Sequence, residues 1–485
     1  MTKAPLIFGS WILGTLACFA EPSLTIYNQN FAMVRDTVPL DLKAGVNPVT
    51  FSDITAQMEP DSVVLRDPTG KVQLQILEQN YRNDPVTQEL LLSLFEGKTI
   101  DFVTKGDAKP DVTVQGKIIR SGYVPRSAGG GSSQPVIEVN GKIQFGLPGQ
   151  PIFPSLGDDT ILKPMITWQL NADAPGKLGA ELGYITGGMK WNSSYNIVAP
   201  EVGDIIDVIG WITMDNQSGK TFTNAKIKLV AGDVNKIQSP NEMRALEDVG
   251  TTVQLSTAAP QVTEKAFDEY HLYSLPRETT LHDGEIKQVE FIHASGVKSQ
   301  KVYTYDGVNV QWGMYGSSTN MQGFRDRADF GGESNTKIAV TREFKNSEAN
   351  HLGIALPKGR VRFYRKDGDQ LQFTGENLID HTAKDELVKL YTGNAFDLVG
   401  ERKRTDFHVD SANHGADESF EIKLRNHKKE AVEIRVVEHL YRWTNWQIQD
   451  NTAPFVKTNA QEIEFRIPLQ PDEEKVLTYK VHYSW

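Results

Sequence analysis

Asp406, His408 and Asp410 put two carboxylates and an imidazole at alternate positions, with His414 close behind. Alternate residues of a strand share a face, so these three side chains could converge on one divalent cation. The same alternation describes a solvated strand edge running into the polar loop 411–418, which is the simpler account. Asp326 and Asp329, in the stretch RDRADFGGE, could form a carboxylate pair or hold a cation. Such a role depends on their separation in space. Local Arg–Asp pairs in a charged loop account for them more simply. The third candidate is the run Tyr441-Arg442-Trp443-Thr444-Asn445-Trp446. Exposed, the rings of Tyr441, Trp443 and Trp446 would stack on sugars or anchor a protein partner. Packed inward they are core of the last domain, which is the first expectation.

Other chemistry is missing where it would be visible. There is no phosphate-binding loop, no G-x-G-x-x-G, no H-E-x-x-H and no G-x-S-x-G elbow. No cofactor is therefore expected. Lysine and arginine number 51 against 62 aspartates and glutamates, a net charge of -11. An acidic chain gains little by releasing counterions from phosphates, so nucleic acid is not an expected partner. The only cysteine is Cys18, which leaves the rest of the chain without disulfide, thiolate nucleophile or cysteine metal site.

The elements that would position these residues are mostly strands. Residues 1–20 read as a secretory signal: Lys3, then an apolar run, then Cys18-Phe19-Ala20 before Glu21. The run is short for a bilayer core, so no membrane span is expected in the mature chain. A lipid anchor on Cys18 is the other reading of this leader. Residues 21–120 read as a β domain with one helix, capped by Asp84, with Pro85 first and Leu90, Leu91, Leu94 and Phe95 as its apolar stripe before Gly97. Residues 121–160 read as a flexible Gly/Ser/Pro-rich connector through RSAGGGSSQ. Then come a β-sandwich module at 161–300, a β-rich module at 301–405 and an immunoglobulin-like sandwich at 406–485.

A strand, a short polar turn and a returning strand recur at 205–230 and 420–437, and more loosely at 338–356. Ile206, Val208, Ile212 and Met214 share one face; so do Phe420, Ile422 and Leu424, and Val432, Ile434 and Val436. Leu477, Tyr479, Val481, Tyr483 and Trp485 alternate along the last strand. The expected fold class is all-β, several immunoglobulin-like antiparallel sandwiches with one or two short helices. Asn192-Ser193-Ser194 and Asn216-Gln217-Ser218 match the glycosylation sequon.

Several segments together carry a likeness: GYITGGMKWNSSYNIVAPE (183–201), GWITMDNQSGKTFTNAKIKLVAGDVNKI (210–237), EYHLYSLPRETTL (269–281), GIALPKGRVRFYRKDG (353–368) and FEIKLRNHKKEAVEIRVVEHL (420–440), with LTIYNQNFAMVRD (24–36) and ILEQNY (76–81) before them. Their order and wording resemble the bacterial domain-of-unknown-function family 4139, itself distantly similar to proteins labelled mucoidy inhibitors. The resemblance implies an exported, β-rich protein with an envelope or exopolysaccharide connection by analogy. It brings no reaction, cofactor or catalytic residue. The expectation is a periplasmic or extracellular binding or structural component of the cell envelope, contacting protein or glycan. The other reading is a glycan-active hydrolase or lyase working through paired carboxylates.

Overall fold

The computed structural model describes residues 21–83, 85–104, 112–124, 131–156, 160–232, 234–236, 262–267, 269–308, 327–328, 330–332 and 334–485. Residues 1–20 with Cys18, Asp84, Asp326, Asp329 and residues 126–130 of the Gly/Ser stretch lie outside them. The protein is all-β: strands hold 65% of it and helices 3%, in several antiparallel sheets. No helix among the described residues is long and apolar enough to cross a membrane.

Two compact units take their residues from separate stretches of chain. One consists of Met1–Lys190, Asp215–Leu229 and Arg277–Lys287, the other of Trp191–Met214, Val230–Pro276 and Gln288–Trp485. In the first, strand Phe31–Leu42 pairs along its length with Gly176–Gly187 and at its start with Ser23–Tyr27. A three-stranded sheet puts Met165–Ala172 between Gly45–Phe51 and Leu74–Arg82. Ile166, Trp168, Leu170 and Ala172 all face inward from the central strand, as its period of two dictates. A third, five-stranded sheet is built from Thr99–Thr104, Val112–Arg120, Val136–Val139, Lys142–Phe145 and Gln150–Ile152. Residues 136–152, read as connector, therefore form three strands of it.

The helix packs on that last sheet and runs over Gln88–Leu94, starting later than the sequence suggested. Its cap is Thr87, whose hydroxyl accepts the Leu90 N–H at 3.2 Å. Pro85 is not in the helix; it bridges to Ile161. The later start turns the buried face to Leu91, Leu92 and Phe95 and leaves Leu94 exposed. Leu92 and Phe95 close on Ile100, Phe102, Ile118 and Ile137.

In the second unit the C-terminal module is sandwich-like. One sheet contains Leu387–Asp410, Gly415–Asn426, Glu474–Ser484 and Trp446–Asn451; facing it are Val432–His439, Glu462–Leu469 and Phe455–Asn459. Phe420, Ile422 and Leu424 meet Val432, Ile434, Val436, Ile463 and Phe465 in one apolar core. The C-terminal copy of the strand–turn–strand unit is thus an arch and not a returning hairpin. Gly415–Asn426 hydrogen-bonds to Leu387–Asp410 and Glu474–Ser484, whereas Val432–His439 bonds to Glu462–Leu469. Both strands of the arch bury every second side chain on one face, so they meet across the core instead of edge to edge.

One device recurs at the turn of all three copies. Asn216, Asn346 and Asn426 are each fully buried. The Asn426 amide donates to the carbonyls of Glu430 and Gln470, both at 2.9 Å, and its oxygen accepts the Lys428 N–H. Asn346 donates to Ile354 and Ala383 and accepts from Gly353. Asn216 donates to Lys220, Leu281 and His282 and accepts from Ser218. Each asparagine ties its own turn to a second turn by donating to backbone carbonyls of both. Asn216 is therefore spent on structure, although it stands in a sequon.

Candidate functional site

The polar centre of the C-terminal module is made by charged residues that sit on the core side of their strands. Glu418 lies two residues before Phe420 and shares its face. Glu438 follows Val436 in the same way. Arg402 and Arg404 take the matching positions on Leu387–Asp410, opposite Ile422 and Phe420. The strands' alternation carries these charges inward, where each must find a partner.

They do. Arg402 Nε lies 2.9 Å from both Glu438 oxygens, and Tyr479 donates its hydroxyl to Glu438 Oε2 at 2.5 Å. Arg402 Nη1 reaches the Gly331 carbonyl at 2.8 Å, and its guanidinium lies 4.0 Å above the Phe420 ring centre. Glu418 Oε1 accepts from Arg404 at 3.0 Å and Arg442 at 2.7 Å. Arg404 and Arg442 both also donate to the Phe330 carbonyl. The side chains of Arg402, Glu438, Glu418 and Arg442 are 3%, 0%, 5% and 1% exposed, so solvent screens none of these pairs. Burial works against the Arg402 charge, but Glu438 outweighs it and holds the guanidinium charged. Burial, and then the neighbouring carboxylate, keep Tyr479 and Tyr483 as neutral phenols.

Beside this network lies a half-open cavity of about 20 Å³, room for one water-sized group. Arg402, Arg442, Glu418, His439, Tyr441 and Tyr483 supply its polar lining. His439 Nε2 is 2.9 Å from Asp306 Oδ2. The Tyr441 ring stacks on the imidazole at 4.9 Å and 8°, with its hydroxyl 2.9 Å from Nδ1. The bond to Asp306 raises the His439 pKa despite partial burial. Tyr441 goes the other way from an activated nucleophile: burial and the nearby carboxylates Asp306 and Glu462 hold its proton on. No family model matches this chain, and no curated protein matches it. The likeness to family 4139 thus rests on the quoted segments alone.

Of the three aromatic candidates, only Tyr441 lines the cavity. Trp443 packs half-buried at the edge of the core, its ring 6.4 Å from that of Trp485. Trp446, also half-buried, donates to the Ala460 carbonyl at 2.9 Å and carries the Lys457 ammonium 4.6 Å above its ring. Asp406, His408 and Asp410 are not gathered round a common point; among the described residues no group of three such side chains could hold a metal ion. A register shift between Arg404 and Asp406 interrupts the strand. Asp410 caps the following turn instead, accepting from Asn413 Nδ2 at 2.7 Å and from the backbone of Ala412 and Asn413. His408 is exposed opposite Asp417, whose carboxylate is engaged by His482 at 2.6 Å and Lys480 at 3.0 Å. Asp326 and Asp329 lie outside the described residues.

Proposed function

We propose that the chain is an exported, non-catalytic binding component of the bacterial cell envelope that recognises an acidic glycan at the C-terminal cavity. One observation carries this reading: the lining offers two guanidiniums, an imidazole kept toward its charged form and the Tyr441 phenol. Its single carboxylate, Glu418, is already held by Arg404 and Arg442. Arg402 and Arg442 are already paired with Glu438 and Glu418, so an incoming carboxylate would be met first by His439 and the Tyr441 hydroxyl, with the guanidiniums adding their field behind them. The small volume admits no more than one carboxylate oxygen, with the rest of the group and the sugar ring outside against the half-exposed Tyr441. The paired-carboxylate hydrolase needs a second acid about 5 to 9.5 Å from the first; Glu418 has no such companion among the lining residues. The leader-like start and the family resemblance support the envelope setting.

The test is calorimetry of the purified chain against an oligouronate and against the neutral oligomer of the parent sugar. Binding of the uronate alone is expected, weaker at high salt, and weakened about tenfold or more by Tyr441→Ala or His439→Ala. Equal binding of both sugars, or none, removes the proposal. Release of shortened sugars would install the hydrolase reading in its place.

A further inference from the structure

A second cluster, in the first unit, is independent of that cavity. Lys220 stands in the turn that Asn216 closes, and its side chain is 5% exposed. Its ammonium lies 2.7 Å from Asp36 Oδ2 and 2.9 Å from Asp53 Oδ2, and it also donates to the Asp53 carbonyl. Asp36 comes from strand Phe31–Leu42; its other oxygen accepts the Thr37 N–H at 2.8 Å. Tyr184, Thr55 and Phe222 around the cluster are fully buried, and the ammonium sits 5.3 Å from the Phe222 ring centre.

We propose that Lys220 and Asp36 condense into an intramolecular amide, with Asp53 as the proton carrier. The three requirements of that reaction are met by different groups. Nζ is within contact of the carboxyl it must attack, so the bimolecular step has become a local one. The Thr37 N–H holds Oδ1 as the carbonyl oxygen and stabilises the negative charge it gains. The Asp53 carboxylate takes a proton from the ammonium and delivers it to Oδ2. The Nζ–Cγ bond forms, the Cγ–Oδ2 bond breaks, and Oδ2 leaves as water with two protons that began on Nζ. No oxidant or co-reactant is needed. The reacting pair, 5% exposed at Lys220 and 14% at Asp36, favours the neutral amide over a desolvated ion pair, while Asp53, 71% exposed, faces solvent and can exchange its protons with water. Chemically the bond does what a disulfide does, in a chain whose one cysteine is Cys18: it would fix the turn to strand Phe31–Leu42.

The experiment is tryptic peptide mapping of the purified full chain by mass spectrometry after denaturation. The expected result is no cleavage after Lys220 and a branched peptide joining the Lys220 and Asp36 segments, lighter by one water than their sum. Lys220→Arg keeps the ion pair but cannot form this bond, and its map should be linear. Asp53→Ala leaves both reacting groups in place and should slow or abolish branching. A wild-type map with cleavage at Lys220 and an unmodified Asp36 peptide would falsify the proposal and leave Lys220 and Asp36 an ordinary ion pair. That measurement needs no variant to fold.

Discussion

Glu438 is fully buried, and Arg402 and Tyr479 hold its carboxyl group. Removing its charge leaves the Arg402 guanidinium buried without its counter-ion. Glu438→Gln is expected to destabilise the module by about 3–5 kcal/mol in denaturant titration. Replacing Arg402 and Glu438 together by Met and Leu should cost much less, since both charges then leave the core at once. His439 makes a prediction in pH. Its folded pKa is raised by Asp306, so the imidazolium and the stability of that ion pair are complete below its ordinary value near 6.5. Both are lost as pH rises through the raised one. Uronate binding should therefore persist past neutral-histidine pH and then fall. In Asp306→Asn the same fall should begin at lower pH, and a proton-NMR titration of the His439 ring should move with it. An unmoved titration would detach His439 from Asp306. The signal for this site was present in the sequence as parity: Glu418 and Glu438 continue the in-facing series of Phe420 and Val436. A reading tuned to apolar alternation stops where the charge begins and passes over them. The Asp406–His408–Asp410 triplet drew attention by residue type, and the register shift that precedes it cannot be read from spacing.

At the scale of elements, period-two alternation marked which residues are buried and was right for Ile206, Val208, Ile212 and Met214, for Phe420, Ile422 and Leu424 and for Leu477, Tyr479, Val481 and Tyr483. It says nothing about which strand lies alongside. A hairpin and an arch have the same alternation and the same polar turn; only the hydrogen-bonding partners differ. What separates them here is a buried asparagine at the last position of the first strand or just beyond it. Asn426→Ala removes the two donors and the acceptor that serve the Glu430 and Gln470 carbonyls and the Lys428 N–H. The expected loss is about 1–3 kcal/mol, and Asn346→Ala should lose a similar amount. Asn426→Asp keeps the size and the acceptor but drops the amide donors, so it should fall with alanine and not with wild type. Thermal melts of the three variants decide it: an unchanged midpoint in Asn426→Asp would mean that the Glu430 and Gln470 carbonyls find other donors.

At the scale of the whole molecule, each compact unit is completed by stretches far away in sequence. A boundary drawn along the chain assumes that neighbours in sequence share a core, an assumption that short connections usually justify. The first unit breaks it. Asp215–Leu229 returns to it after Trp191–Met214, which belongs to the other unit, and it brings Phe222, Ala225, Ile227 and Leu229, all of them buried. It also brings Lys220, the partner of Asp36 and Asp53. A fragment of residues 21–190 has the leading strands and the helix but lacks this set. It would leave the Asp36 carboxylate without its cation and expose an apolar face that no other part of the fragment covers. Such a fragment is expected to melt without a cooperative transition and to bind hydrophobic dye, while the full chain melts cooperatively. Adding residues 191–290 should restore the transition, because the missing strand and the turn at His282 then return together. A cooperative melt of 21–190 alone would show that the leading segment is self-sufficient and that Asp215–Leu229 only decorates it.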